Sequence, residues 1–342
     1  MEILSRQESP GIAREADRLC RIIEERETAL REGRAGKTAK VENAAFQLLQ
    51  IGRNAVYRID DARRWFLKLP CGKNWKGLEG EALGFRFLKT VFPGAEYYLH
   101  PAAVRISLKK GYILSAEVPG SQLNYHLYRG CFRASAKDFK KVEEMFRRCG
   151  RVLGEFHRAG ANYPARPLAS GLANTLERRL AKAERLDARG QEIARWRQAR
   201  APFAAEESFV HGNCTYRNIF VHGDQAGLID FETSGRGSLY NDLARVCSDV
   251  LLTRTALFFP WKRAFSALAA LLEGYKSAYS YQPEHLLNYI ALYIFDRYIQ
   301  VYGIKKERET VSGVPVSRGK VHRLIDSLLE GDAASVFGGI RL

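Results

Sequence analysis

The sequence predicts an α+β protein in two parts, a smaller strand-rich one followed by a larger helical one, and three observations point there. Between about residues 41 and 117, apolar runs of strand length are separated by turn residues. Beyond 121, apolar residues recur at helical spacing over long segments. Inside that helical part, the stretch 208–232, SFVHGNCTYRNIFVHGDQAGLIDFE, breaks the pattern with short strands and a polar loop. A chain of 342 residues is long enough for two lobes sharing a cleft, and 46% apolar residues suffice for an ordinary core.

Taken in order, residues 11–33 set Ala13, Ala16, Leu19, Ile22, Ile23 and Leu30 near helical spacing, a helix expected to pack on the smaller part, and 31–37 read as a linker. Strands follow over 45–50, 55–59 and 65–69, the first two joined by Ile51-Gly52-Arg53-Asn54. A strand, a glycine turn and a second strand make a flap whose backbone amides can face phosphates, so Gly52 and Asn54 are candidate nucleotide contacts. Lys68 stands in an otherwise apolar strand, and a buried ammonium needs a carboxylate partner. A helix over 80–88, with Leu83, Phe87 and Leu88 inward, offers Glu81 as that partner, with Glu79 as the competing choice. Residues 104–108 and 112–117 read as a hairpin that Val118-Pro119-Gly120 ends.

The larger part opens with a helix over 139–159, whose stripe is Val142, Met145, Phe146, Cys149, Val152, Leu153 and Phe156, stopped by Gly160. His157 on it reads as a packing or loop-bracing residue. Residues 173–200 are dense in arginine and read as an inserted helical hairpin, whose charge can form a solvated basic face. Strands over 208–210, 219–221 and 227–229 come next, the last two joined by the turn His222-Gly223-Asp224-Gln225. Asp242 is placed to cap a following helix and brace the loop. Amphipathic helices over 261–279 and 284–302 complete the part, and the basic segment 305–323, broken by Gly313 and Pro315, is expected to be a mobile loop.

Three polar groups in 208–232 stand at spacings that phosphoryl-transfer chemistry uses. His211-Gly212-Asn213 opens a loop, Asn218 follows five residues after Asn213, and Asp230 lies in Ile229-Asp230-Phe231-Glu232. The first position can orient an attacking hydroxyl, while an Asn and a later Asp are hard oxygen ligands suited to magnesium. Asn218 and Asp230 flank the hairpin and can share one ion. The second His-Gly-Asp, 222–224, sits on the turn itself, with Ile229 rather than a ligand five residues on.

HGNCTYRN followed by GLIDFE resembles the HGDxxxxN and IDxE motifs of the aminoglycoside phosphotransferase and choline kinase group. VYRI, FLKL and GEALGFRFL resemble that family's small lobe, LGEFHRAG resembles the helix before its catalytic loop, and the likeness spans roughly 45–300. The resemblance implies a two-lobed protein-kinase-like α+β fold, with a helical extension over 1–40, a small β-rich nucleotide-binding N-lobe over 41–117, and a large helical C-lobe over 118–342. ATP and Mg2+ follow as expected cofactors, with transfer of the γ-phosphoryl group to a hydroxyl of a small molecule or glycan. By the same resemblance Asn213, Asn218 and Asp230 are the catalytic positions and Asn218 and Asp230 the metal ligands. Lys68 would meet the nucleotide phosphates with Glu81 positioning it, and Ser115 and Glu117 would mark the hinge beside the adenine.

Asn213 departs from the family, which has Asp there. An amide can hydrogen-bond a hydroxyl but cannot take its proton. Two readings stay open: a slow enzyme, because phosphoryl transfer needs positioning more than deprotonation, or a pseudokinase-type binding module, natural or deliberately disabled, that recruits an anionic partner.

The 54 Lys and Arg against 38 Asp and Glu give a formal charge of +16, which attracts anions and repels cations at long range. This favours an anionic acceptor, such as a phosphorylated or acidic sugar of a lipopolysaccharide core, and peripheral contact with an anionic membrane. It argues against a cationic aminoglycoside, and nucleic acid is not an expected partner. The six cysteines form no CxxC pair or zinc-spaced cluster and are expected to be reduced thiols. No apolar run of membrane-spanning length and no apolar signal core are visible, so cytoplasmic residence is expected.

Overall fold

A computed structural model of the chain describes residues 2–3, 9–31, 38–41, 44–51, 54–71, 75–92, 98–102, 104–168, 188–199, 206–253, 261–299, 310–311, 314–315 and 318–337. They group into two units, one of residues 1–120 with 230–234 and one of 121–229 with 235–342.

The first unit is built on seven antiparallel strands: β1 (Glu2–Ile3), β2 (Thr38–Val41), β3 (Ala44–Gln50), β4 (Asn54–Asp60), β5 (Arg64–Pro70), β6 (Val104–Ser107) and β7 (Tyr112–Ala116). Their order across the sheet is β1-β6-β7-β5-β4-β3-β2. Strand geometry sends alternate side chains to opposite faces. In β5 this buries Trp65, Leu67 and Leu69 on one side and leaves Phe66 and Lys68 on the other. Helix α1 (Pro10–Arg31) covers the apolar side, where its Ala16, Leu19, Ile22, Ile23 and Leu30 form one cluster with Tyr57, Trp65, Leu67, Tyr112 and Leu114. Polar ties fix its position: Trp65 Nε1 donates to Glu15 Oε1 at 2.8 Å, and Tyr57 OH to the Leu30 carbonyl at 2.7 Å.

Residues 1–40 are thus more than a helical extension. They supply the sheet's two edge strands and the cover without which Trp65 and Leu67 would face water.

The second unit carries α3 (Leu123–Arg133), α4 (Ala136–Gly160), α5 (Ala188–Ala199), α6 (Tyr240–Thr253), α7 (Trp261–Ala278), α8 (Pro283–Tyr298), α9 (Arg318–Glu330) and α10 (Ala333–Val336). Small strands lie among them: β8 (Ser121–Gln122), β10 (Ile219–His222) and β11 (Gln225–Leu228) form one sheet, and β9 (Glu207–Val210) pairs with β12 (Gly235–Ser238). Two further strands, β13 (Thr310–Val311) and β14 (Val314–Pro315), pair with each other. Helices α4 and α7 approach at backbone distance, since a Cβ on Gly150 would stand 1.9 Å from the Leu271 carbonyl oxygen.

A further expectation changes. The segment 305–323 is not a loop throughout, because α9 begins at Arg318 and buries Val321, Leu324, Ile325 and Leu328. That i, i+3, i+4, i+7 stripe outweighs the basic composition. Of the inserted hairpin, Ala188–Ala199 is helical, while Arg178, Arg179, Lys182 and Arg185 lie outside the described residues. No described helix is long and apolar enough to cross a membrane. The six cysteines are free thiols.

Candidate active site

Lys68 lies on the side of β5 away from α1, where α2 (Trp75–Val91) brings Glu81 to it. Its Nζ is 2.9 Å from Glu81 Oε2, 2.5 Å from Asp230 Oδ1 and 3.7 Å from Glu232 Oε2. Asn54 Nδ2 donates to Glu232 Oε2 at 3.0 Å. Three carboxylates therefore surround one ammonium, leaving an excess of two negative charges when all are ionised. Burial works against the charged lysine, yet Glu81 and Asp230 outweigh it and raise its pKa. Burial also holds the Glu81 carboxyl above the usual carboxylate range, which Lys68 only partly offsets. Glu79, the competing partner, is exposed.

The segment carrying Asp230 is fixed by α2. Asp230 has φ of 66°, the one non-glycine residue at positive φ among the described residues, a conformation that costs a side chain about 1 kcal/mol or more. On α2, a Cβ at Gly80 would stand 2.3 Å from the Glu232 carbonyl oxygen, and one at Gly84 would stand 2.3 Å from Phe231 Cβ. Ser234 Oγ donates to the Gly80 carbonyl at 2.7 Å. The two glycines, one turn apart, let the 230–234 backbone lie directly on the helix. Sequence reasoning assigned no role to Gly80, Gly84 or Glu232. The glycine spacing and the last residue of the IDFE motif were the available signals.

In the second unit, the loop 211–218 runs from β9 to β10. Asp242, third residue of α6, turns its carboxylate onto this loop rather than capping its own helix. Its Oδ2 accepts from His211 N at 2.6 Å and its Oδ1 from Gly212 N at 2.8 Å. His157 braces the same carboxylate, with Nε2 3.2 Å from Oδ2 and Nδ1 2.7 Å from Tyr275 OH. His211 Nε2 donates to the Ile229 carbonyl at 2.7 Å, while its Nδ1 accepts from Asn213 N at 3.3 Å. Asn218 Nδ2 donates to the Asn213 carbonyl at 3.0 Å, so the amide nitrogen is used within the loop and its Oδ1 is the ligand-type atom. Ile229 N donates to the Asn218 carbonyl at 3.0 Å.

The hairpin after Asn218 turns on two residues, Gly223 and Asp224, rather than four, with Gly223 at φ 55°. Asp224 is tied to Arg148, so the second His-Gly-Asp is structural.

The remaining candidates fall elsewhere. Ser115 lies within β7 and pairs with both Phe66 and Val104. Glu117 spends its amide on the Arg64 carbonyl at 3.0 Å and its carboxylate on the Arg64 guanidinium at 2.8 Å. Gly52 lies outside the described residues. Lys68, Glu81, Asn54 and Asp230 come together in the first unit, and Asn213 and Asn218 in the second. Among the described residues no three His, Cys, Asp or Glu side chains form a metal cage. A magnesium site completed by phosphates and water needs only one or two protein carboxylates.

A family model described as "Phosphotransferase enzyme family" matches residues 47–286, well over half of the chain. The chain belongs to that family. Both the Lys68 group and the 211–218 loop lie within the matched span of this phosphotransferase, a kinase with an alcohol group as acceptor.

Solved structures with similar folds include the amicoumacin kinase hAmiN in complex with AMP-PNP, Ca2+ and Ami. It is 15% identical, with 89% of this chain and 93% of that one covered and a TM-score of 0.55. A choline/ethanolamine kinase family protein from Mesorhizobium loti is 15% identical, with 86% and 91% covered and a TM-score of 0.53. At such identities the likeness establishes the fold, which is kinase-like. A sequence search among curated proteins returns no match.

Proposed function

We propose that this phosphotransferase moves the γ-phosphoryl group of ATP, with Mg2+, to a hydroxyl of a small molecule or glycan that carries negative charge. The observation that carries the reading is the Lys68 cluster. One ammonium among three carboxylates is short of positive charge, and one of those carboxylates is held in a strained backbone. A structural ion pair needs neither feature. A site that admits a divalent cation beside a triphosphate needs both a fixed ammonium and spare carboxylate oxygens.

In this reading Lys68 binds the nucleotide phosphates and Glu81 orients it. Asn218 Oδ1 and Asp230 are the metal ligands, and Asn54 steadies Glu232. The metal, when bound, offsets charge on the phosphate oxygens. The hinge lies at the end of β7, near Ser115 and Glu117. Asn213 orients the acceptor hydroxyl by hydrogen bonding. The net charge of +16 favours an anionic acceptor through long-range attraction.

The amide at Asn213 supports a second reading, a binding module with little catalysis. Comparing phosphoryl transfer by the parent and by Asn213→Asp, across anionic and neutral sugars, separates the two. A positioned base contributes about 10²–10⁴-fold, so a gain of several hundredfold is expected for a detuned kinase. Silence in both proteins with acceptors present would establish the binding module instead.

A further inference from the structure

Helices α6 and α8 pack against each other in the second unit. Asn241, Arg245 and Asp249 recur one turn apart on α6, as do His285, Tyr289, Tyr293 and Arg297 on α8. The Arg245 guanidinium lies 5.3 Å from the centroid of the Tyr293 ring. Tyr289 stacks on Tyr240 at 5.5 Å, and the His285 ring meets Tyr240 edge-on at 5.6 Å. Three buried polar atoms along this seam have no hydrogen-bond partner: Asn241 Oδ1, Arg245 Nε and His285 Nδ1. An unpaired buried donor or acceptor is costly, and native proteins leave few. Three in adjacent turns call for a polar occupant.

The seam adjoins the 211–218 loop. Asp249 accepts a hydrogen bond from the backbone of Tyr216 inside that loop, two turns along α6 from Asp242, which holds the loop's start. Arg217, next in the loop, acts on Asp249 together with Arg245 and Arg297. Three guanidinium groups thus act on one carboxylate, which itself holds the loop at Tyr216. Burial pushes the Asp249 carboxyl above its usual range, against the pull of Arg245 and the Tyr216 amide.

We propose that the α6–α8 seam is the anion-binding subsite for the acceptor, in which Arg245, supported by the Tyr293 ring, takes a phosphate, sulfate or carboxylate group. Asn241 accepts a hydroxyl of the same molecule. The assignment rests on the phosphotransferase reading and narrows its substrate class. An arginine supported on an aromatic face has its planar donors pre-set for a two-oxygen anion, which a lysine could not match.

The test uses the full chain, first titrated with AMP-PNP and Mg2+, then, saturated with both, titrated calorimetrically with inorganic phosphate, a hexose monophosphate and the unphosphorylated hexose, against a sodium chloride control. Saturable binding of the two phosphate species is expected, weakened about tenfold by Arg245→Ala and less by Arg245→Lys. Circular dichroism melting of both variants checks that they fold, and Arg245→Lys carries the test should Arg245→Ala not. Equal phosphate binding by the parent and the folded variants, or none by the parent, overturns the subsite. Absence of AMP-PNP binding sinks the phosphotransfer reading separately. The phosphate titration on the nucleotide-free chain then still decides whether Arg245 holds an anion.

Discussion

Asp230 is placed where a residue with a Cβ is strained and where two other carboxylates crowd it. Such strain persists where the surroundings over-determine it, and here Gly80, Gly84 and Ser234 do so. The surplus of acid over base makes removal of an acid and removal of the base unequal. Asp230→Asn leaves Lys68 paired with Glu81, so metal-free stability is expected to stay within about 1 kcal/mol of the parent or to rise. Lys68→Ala leaves three carboxylates with no cation and is expected to cost about 2 kcal/mol, discounted because the site is partly solvated. Urea denaturation of both variants without divalent ions measures this, and a larger loss from Asp230→Asn than from Lys68→Ala would contradict it.

Lys68 was legible in the sequence because one charge in an apolar strand demands a partner. Glu232 was marked only as the last residue of the IDFE motif, and its approach to Lys68 depends on the chain doubling back onto β5, which a linear motif does not show. The strand around Ser115 was legible, but not that Ser115 is flanked by strands on both sides, because pairing partners such as Phe66 and Val104 lie far away in the chain.

At the scale of elements, α2 acts as the bed for segment 230–234. Adding a methyl group at Gly80 would push the Glu232 carbonyl, which as backbone cannot swing aside. Gly80→Ala is expected to lower stability by about 1–3 kcal/mol and to weaken Mg2+-dependent nucleotide binding, because the shift moves Asp230 relative to Lys68. Thermal melting and AMP-PNP titration read the two effects, and a variant that loses neither shows that α2 does not set the segment. Long periodic helices such as α4 and α7 were legible from their stripes, with ends misplaced by a few residues. Edge strands β1 and β2 were not, being only two and four residues long. Helix α9 was hidden by basic composition although its apolar spacing was intact.

For the whole molecule, each unit carries one half of the proposed chemistry, the first the phosphate-binding ammonium and Asp230, the second the loop with Asn213 and Asn218. Family membership was legible because the motifs fall in the Lys68 strand and the 211–218 loop, whereas the proposed acceptor subsite uses side chains from α6 and α8 that no short motif records. The positive surface can hasten encounter with anionic ligands but does not itself make a nucleotide site. The decisive measurement is calorimetric titration of the parent chain with AMP-PNP in the presence and absence of Mg2+, repeated on Lys68→Ala. Saturable binding that weakens at least about tenfold on removing either the cation or the ammonium is expected. Binding indifferent to both, or no binding by the parent, would contradict the assignment of the Lys68 cluster to a nucleotide and its metal.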